Sequence, residues 1–173
     1  MDRKSPTHKK VRRKVYDEVD AFKLKDSPAI QQHFKNHNNE WLIAHPEKSI
    51  AYFTPVKDAK GEPATFYLHT YRMIKPIEAL PVAICCRING KNYILEAESD
   101  SVKLSEQQLP RKIENKTSKF IFYQKIFSPG HNYLRFESSS EPGFYLAWDR
   151  EEKKLTLKLP EDPIDEYIKF LLD

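Results

Sequence analysis

The stretch Val82-Ala83-Ile84-Cys85-Cys86-Arg87-Ile88-Asn89-Gly90-Lys91-Asn92-Tyr93-Ile94-Leu95-Glu96-Ala97 decides the fold class. Two runs rich in aliphatic and aromatic residues, 82–88 and 93–97, flank Asn89-Gly90. That dipeptide tolerates positive φ at both turn positions and matches the twist of a tight hairpin. Working outward, the same grammar repeats. Residues 41–44 form an apolar run that ends at His45-Pro46, and residues 50–53 form another that ends at Thr54-Pro55. Residues 65–73 alternate large and polar side chains at period two. Residues 120–127 and 133–136 flank the turn Ser128-Pro129-Gly130, and residues 144–148 and 155–159 flank Asp149-Arg150-Glu151-Glu152. A last run at 167–172 is set apart by Pro160 and Pro163. No long window keeps a helical apolar period; the nearest, 105–113, is interrupted by Pro110. About ten to twelve short strands at this spacing predict an all-β fold, either a sandwich or a closed barrel.

The chain has 173 residues, of which 39% are hydrophobic and 31% charged. That suits one folded domain (residues 21–173) preceded by a polar arm (residues 1–20) that reads as disordered. The longest apolar stretch, around 82–86, is far short of the roughly 20 residues a membrane helix needs, so no membrane insertion is expected. No apolar segment follows the basic start, so no secretory signal peptide is expected. The only cysteines, Cys85 and Cys86, are adjacent; on a strand they point to opposite faces and make a poor disulfide. Reduced thiols suit cytoplasmic synthesis.

The formal net charge is +4, yet residues 1–14 alone hold seven Lys/Arg against one acid. Residues 15–173 carry 22 basic and 24 acidic side chains, so the basicity belongs to the arm. A nucleic-acid-binding domain carries its positive charge on the folded body, so nucleic acid is expected as a partner only through the arm. The core of the arm, Lys9-Lys10-Val11-Arg12-Arg13-Lys14, reads as a solvated terminus, a nuclear address or a nonspecific anionic contact.

The segment Phe136-Glu137-Ser138-Ser139-Ser140-Glu141-Pro142-Gly143-Phe144-Tyr145-Leu146-Ala147 resembles the signature of the interleukin-1 cytokine family. Phe136, Ser138, Pro142, Phe144 and Leu146 occupy its positions: aromatic, serine, proline after a short spacer, then an aromatic-aliphatic strand. Trp148 departs from the family pattern, which has a small residue or threonine there. Leu24-Lys25-Asp26, Leu80-Pro81-Val82-Ala83, Tyr93-Ile94-Leu95, Phe120-Ile121-Phe122-Tyr123 and Tyr167-Ile168-Lys169-Phe170 resemble further family elements in the family's order, while residues 47–62 look like an insertion or a loop longer than most members have. The resemblance implies a β-trefoil of about twelve strands, six closing a barrel and six capping it as hairpins. It implies a monomeric, cofactor-free cytokine that is released without a signal peptide, binds an immunoglobulin-like receptor of the interleukin-1-receptor type and recruits an accessory receptor to trigger inflammatory signalling. By family position, Lys25, Gln32 and Phe34 are candidate contacts for the primary receptor, and Lys75 and Glu78 for the accessory one. The alternatives are a receptor antagonist of the same fold, a glycan-binding β-trefoil, and a nuclear role carried by the arm.

Within the arm, Asp17-Glu18-Val19-Asp20 followed by Ala21 is similar to the preferred cleavage sequence of executioner caspases. A flexible segment ahead of the first strand is accessible to proteases. The family's spacing rule, counted back from Leu24-Lys25-Asp26, points instead to a start at Val15; the two readings are rivals, and a cut after Asp20, which leaves Leu24-Lys25-Asp26 close to the new end, either activates or inactivates. Enzyme chemistry finds little support: the six histidines are scattered, and His33 and His37 make a zinc pair only on a helix. Residues 138–140 lack the G-x-S-x-G frame of a nucleophile elbow. No catalytic residue, metal site or cofactor is therefore expected.

Overall fold

A computed structural model describes residues 21–55, 61–73, 79–130 and 132–173. Fifteen strands and three single 3₁₀ turns make up the described chain, with no α-helix among them. The strands are β1 (Phe22–Leu24), β2 (Ile30–Gln32), β3 (Phe34–Lys35), β4 (Trp41–His45), β5 (Ile50–Thr54), β6 (Phe66–Met73), β7 (Leu80–Ile88) and β8 (Lys91–Glu98). They continue as β9 (Ser101–Glu106), β10 (Lys112–Ile113), β11 (Phe122–Ile126), β12 (Tyr133–Ser138), β13 (Tyr145–Asp149), β14 (Lys154–Lys158) and β15 (Phe170–Leu172).

Pairing resolves the choice between sandwich and barrel. β2 pairs with β6, β6 with β7, β7 with β11, β11 with β12, β12 with β15 and β15 with β3, all antiparallel. β2 and β3 are one strand interrupted at His33, whose N–H and C=O bond the C=O and N–H of Asp173. The ring therefore closes on itself with six staves and no free edge, which removes the liability of an open sheet. The remaining pairs β4–β5, β8–β9 and β13–β14 are three hairpins. They hold one another cyclically. Phe53 N–H donates to Lys153 C=O at 2.7 Å, Leu104 N–H to Ser49 C=O at 2.9 Å, and Thr156 Oγ1 to Asp100 C=O at 3.2 Å. Six staves and three hairpins make the expected twelve-strand trefoil. The count of fifteen arises from the break at His33 and from β1 and β10, which pair beside β6.

The period-two pattern sorts the core. Phe34, Phe66, Leu68, Val82, Ile84, Cys86, Phe122, Phe136 and Phe170 point inward and are buried, joined by hairpin residues such as Leu42, Phe53, Leu95, Leu104, Leu146 and Leu157. A second, smaller cluster of Phe22, Tyr71, Ala83, Ile113 and Ile121 lies apart from it, where β1 and β10 join β6.

Two expectations change. The run at 167–172 is a strand only from Phe170, because the Asp165 carboxylate accepts Tyr167 N–H and starts a 3₁₀ turn, Glu166–Ile168. The run at 120–127 narrows to β11, since Ile121 N–H turns back to Ser118 C=O. Within residues 47–62, β5 pairs along its whole length with β4.

Candidate functional site

The signature segment joins β12 to β13 and is built to hold a loop shape. Phe136 is fully buried in the barrel, where its ring lies 5.5 Å from that of Phe34. Ser138 and Ser139 are buried as well. Ser138 Oγ accepts Glu141 N–H at 3.1 Å, and Ser139 Oγ accepts Ser118 N–H at 3.1 Å, tying the loop to the segment before β11. Pro142 and Gly143 form a turn in which Phe144 N–H donates to Glu141 C=O at 3.0 Å. Gly143 sits at φ +87, the left-handed region that the position after proline in a type II turn requires. Gly143 N–H donates to Glu137 Oε2 at 2.9 Å, and Lys125 Nζ donates to Glu137 Oε1. Burial alone would raise the Glu137 pKa, but these two bonds and the nearby Lys125 and Arg135 charges outweigh it and hold the carboxyl below its ordinary range. The signature residues Phe136, Ser138, Phe144 and Leu146 thus come together as architecture, with Pro142 at the exposed tip.

The contact candidates separate. Lys25 is exposed just after β1, where its N–H bonds Thr70 C=O at 3.0 Å. Gln32 is half-buried on β2 opposite Phe66. Phe34 is 2% exposed, inside the barrel against Phe66, Phe136 and Phe170. This corrects its assignment as a receptor contact: alternation along β3 turns Phe34 inward and Lys35 outward. Lys75 and Glu78 lie outside the described residues, as do Val15, Asp17, Glu18, Val19 and Asp20. Ala21 is half-buried and packs on the second core cluster, beside the fully buried Phe22.

His33 and His37 do not converge on a metal. His33 Nδ1 lies 2.8 Å from Ala64 C=O. The His37 ring packs edge-on against Trp148 (5.2 Å) and Tyr167 (5.8 Å), with Nε2 3.6 Å from Glu166 Oε2. These rings, with Asn38 and Arg150, line a recess of about 210 Å³. Trp148 packs its ring against His37, Tyr167 and Phe53. Among the described residues no group of three His, Cys, Asp or Glu side chains is placed to hold a metal ion.

The sequence reading missed the buried carboxylate of Glu96, which accepts a hydrogen bond from Gln107 Nε2 and lies 3.8 and 3.7 Å from Lys103 and Lys119. It also missed Lys125 and Arg135, which face each other across β11 and β12. Only strand register reveals such partners, because they are distant in sequence.

Known proteins agree with this architecture. Residues 57–170 match the family described as Interleukin-1 / 18. Interleukin-18 of Gallus gallus is 34% identical over 166 residues, spanning 89% of this chain and 83% of that protein. Interleukin-18 of Mus musculus is 29% identical over 141 residues, spanning 80% and 72%. The crystal structure of chicken cytokine interleukin 1 beta matches with a TM-score of 0.69 at 19% identity, covering 88% of this chain and 99% of that one, and so shares the β-trefoil fold. These relatives are cytokines, not enzymes. The signature loop, the closed six-stave barrel and the sequence likeness over most of its length converge: the chain belongs to the interleukin-1/interleukin-18 family.

Proposed function

We propose that the chain is an agonist cytokine that acts outside the cell, binds a receptor of the interleukin-1-receptor type through exposed loops of the trefoil, and recruits an accessory receptor to start inflammatory signalling. Membership of the family across most of the chain carries this reading. Interfaces of this kind bury roughly 1,200–2,000 Å² and depend on a few residues near their centre. Lys25 and Gln32 are the described candidates on the primary side; Lys75 and Glu78 are the candidates on the accessory side.

The proposal includes processing of a precursor by a caspase after Asp20. The position of β1 supports it: the first strand begins at Phe22, so this cut leaves every described strand intact. It removes the basic arm and leaves 22 basic and 21 acidic residues on the body. The rival start at Val15 retains six further residues. Phe22, the second residue after the cut, is fully buried, so the protease competes with the packing of β1 for the residues it must grip.

The test is a reporter assay on receptor-bearing cells with residues 1–173, 15–173 and 21–173, alongside caspase digestion of the full chain and of Asp20→Ala. Activity restricted to 21–173, with Asp20→Ala resisting cleavage, is the expected result. Silence of all three forms with block of another family ligand would replace agonist by antagonist. Activity confined to 15–173 would move the maturation site to Val15.

A further inference from the structure

The nearly balanced charge of the body hides an uneven distribution. β11 and β12 place Lys125 opposite Arg135. β12 and β15 place Tyr133 opposite Leu171 and Leu134 opposite Phe170. Lys169 has extended backbone, and continuing that register by one residue sets it opposite Arg135 on the other side. Three cations from three neighbouring staves therefore stand in a row, about 5 Å from strand to strand. Phe136 and Phe170 point into the barrel, so alternation turns Arg135 and Lys169 to its outer face, with Lys125 beside them.

Like charges placed directly opposite one another destabilise a sheet, so this row costs the fold. Its close compensation is one carboxylate, Glu137, bound to Lys125. Among the described residues Arg135 and Lys169 make no ion pair within 4 Å. They rest on aromatic faces instead. The Arg135 guanidinium lies 5.5 Å from the Tyr145 ring centre, and Lys169 Nζ lies 4.3 Å from that of Tyr133 and 5.7 Å from that of Phe127. Arg135 Nε is buried with no acceptor. Rings hold these cations in place without neutralising them, which leaves them preorganised for an external anion.

We propose that the row Lys125–Arg135–Lys169 is a binding site for a sulfated glycosaminoglycan chain. An acidic peptide adding a strand needs an open sheet edge, but β12 is paired on both sides by β11 and β15, so main-chain pairing is closed to a ligand here. Recognition must come from side-chain charge, and a sulfated sugar supplies dense anions for it. The even charge of the whole body does not oppose this, because screening limits each charge to about 8 Å at physiological salt.

The test uses the full chain with Lys9, Lys10, Arg12, Arg13 and Lys14 replaced by Gln, so that the arm does not dominate. Elution from immobilised heparin by NaCl is compared for this background, for Arg135→Gln/Lys169→Gln, for Arg135→Lys/Lys169→Arg, and for Lys23→Gln/Lys112→Gln. The last pair is charge-matched and belongs to a second exposed row of cations, Arg72–Lys23–Lys112 on β6, β1 and β10, none of which rests on an aromatic ring among the described residues, so it separates cations held on rings from cations merely aligned. Melting temperatures establish that each variant is folded. Neutralising Arg135 and Lys169 is expected to lower the eluting salt and to reduce the slope of log affinity against log salt by about two. The charge-preserving pair and the Lys23/Lys112 pair should elute near the background protein. Equal loss in the Lys23/Lys112 pair overturns the proposal, as does retention on heparin no stronger than on a polyglutamate column of matched charge.

Discussion

Replacing Phe34 with Ala separates the two roles its position suggests. In the structure the ring is 2% exposed and contacts three others, Phe66 at 5.6 Å, Phe136 at 5.5 Å and Phe170 at 6.4 Å between centres. Removing a buried phenylalanine side chain costs about 3–5 kcal/mol, with the upper part of that range expected where several aromatic pairs are lost together. For a chain of this size each kcal/mol lowers the melting temperature by about 2–4 °C, so Phe34→Ala should melt roughly 6–20 °C lower. Phe34→Leu keeps more of the volume but loses the same three ring contacts, so it should lower the melting temperature by less than Phe34→Ala while still destabilising. The assay is thermal unfolding followed by circular dichroism, paired with receptor binding measured well below both transitions. A core role predicts a lowered transition and unchanged affinity per folded molecule. A Phe34→Ala protein melting within about 2 °C of the parent while losing more than about tenfold in affinity would refute the reasoning and restore Phe34 as a contact.

Gly143→Ala probes the signature loop. A Cβ there meets Leu159 Cδ1 at 3.5 Å, an ordinary contact, so the cost is that of φ +87 for an L-residue, about 1–2 kcal/mol in denaturant unfolding; a loss above about 4 kcal/mol would mean the loop is packed more tightly than described. Burial pushes the Cys86 thiol up to about 12, and burial with the neighbouring Cys86 raises Cys85 further. At pH 8 both should stay protonated and resist a thiol reagent in the native protein while reacting readily in denaturant, and rapid native labelling of either would contradict their packing.

Local chemistry alone makes the hairpin at 82–97 legible in the sequence. Asn89 and Gly90 adopt φ 52 and 77, as a two-residue turn between twisted strands demands. The turn at Pro142-Gly143 and the inward phenylalanines at period two are equally local. The run at 167–172 is not, because the Asp165 side chain competes for the backbone of Tyr167 and converts apparent strand into a 3₁₀ turn. Phe34 was misassigned because a family position fixes where a residue lies along the chain, whereas the pleat fixes which way it faces. Glu96 reads as an ordinary polar position, and its two lysine neighbours come from β9 and from the segment before β11.

By itself the sequence determined strand identity, turn type and the family signature, since each depends on residues within a few positions of one another. The tertiary structure decided the closure of six staves into a barrel, the cyclic lock of three hairpins, the burial of Phe34 and the alignment of Lys125, Arg135 and Lys169. Each of these is set by the register between strands distant in the chain. A shift of one residue in register turns every side chain to the opposite face, and that register is fixed only when the whole barrel closes.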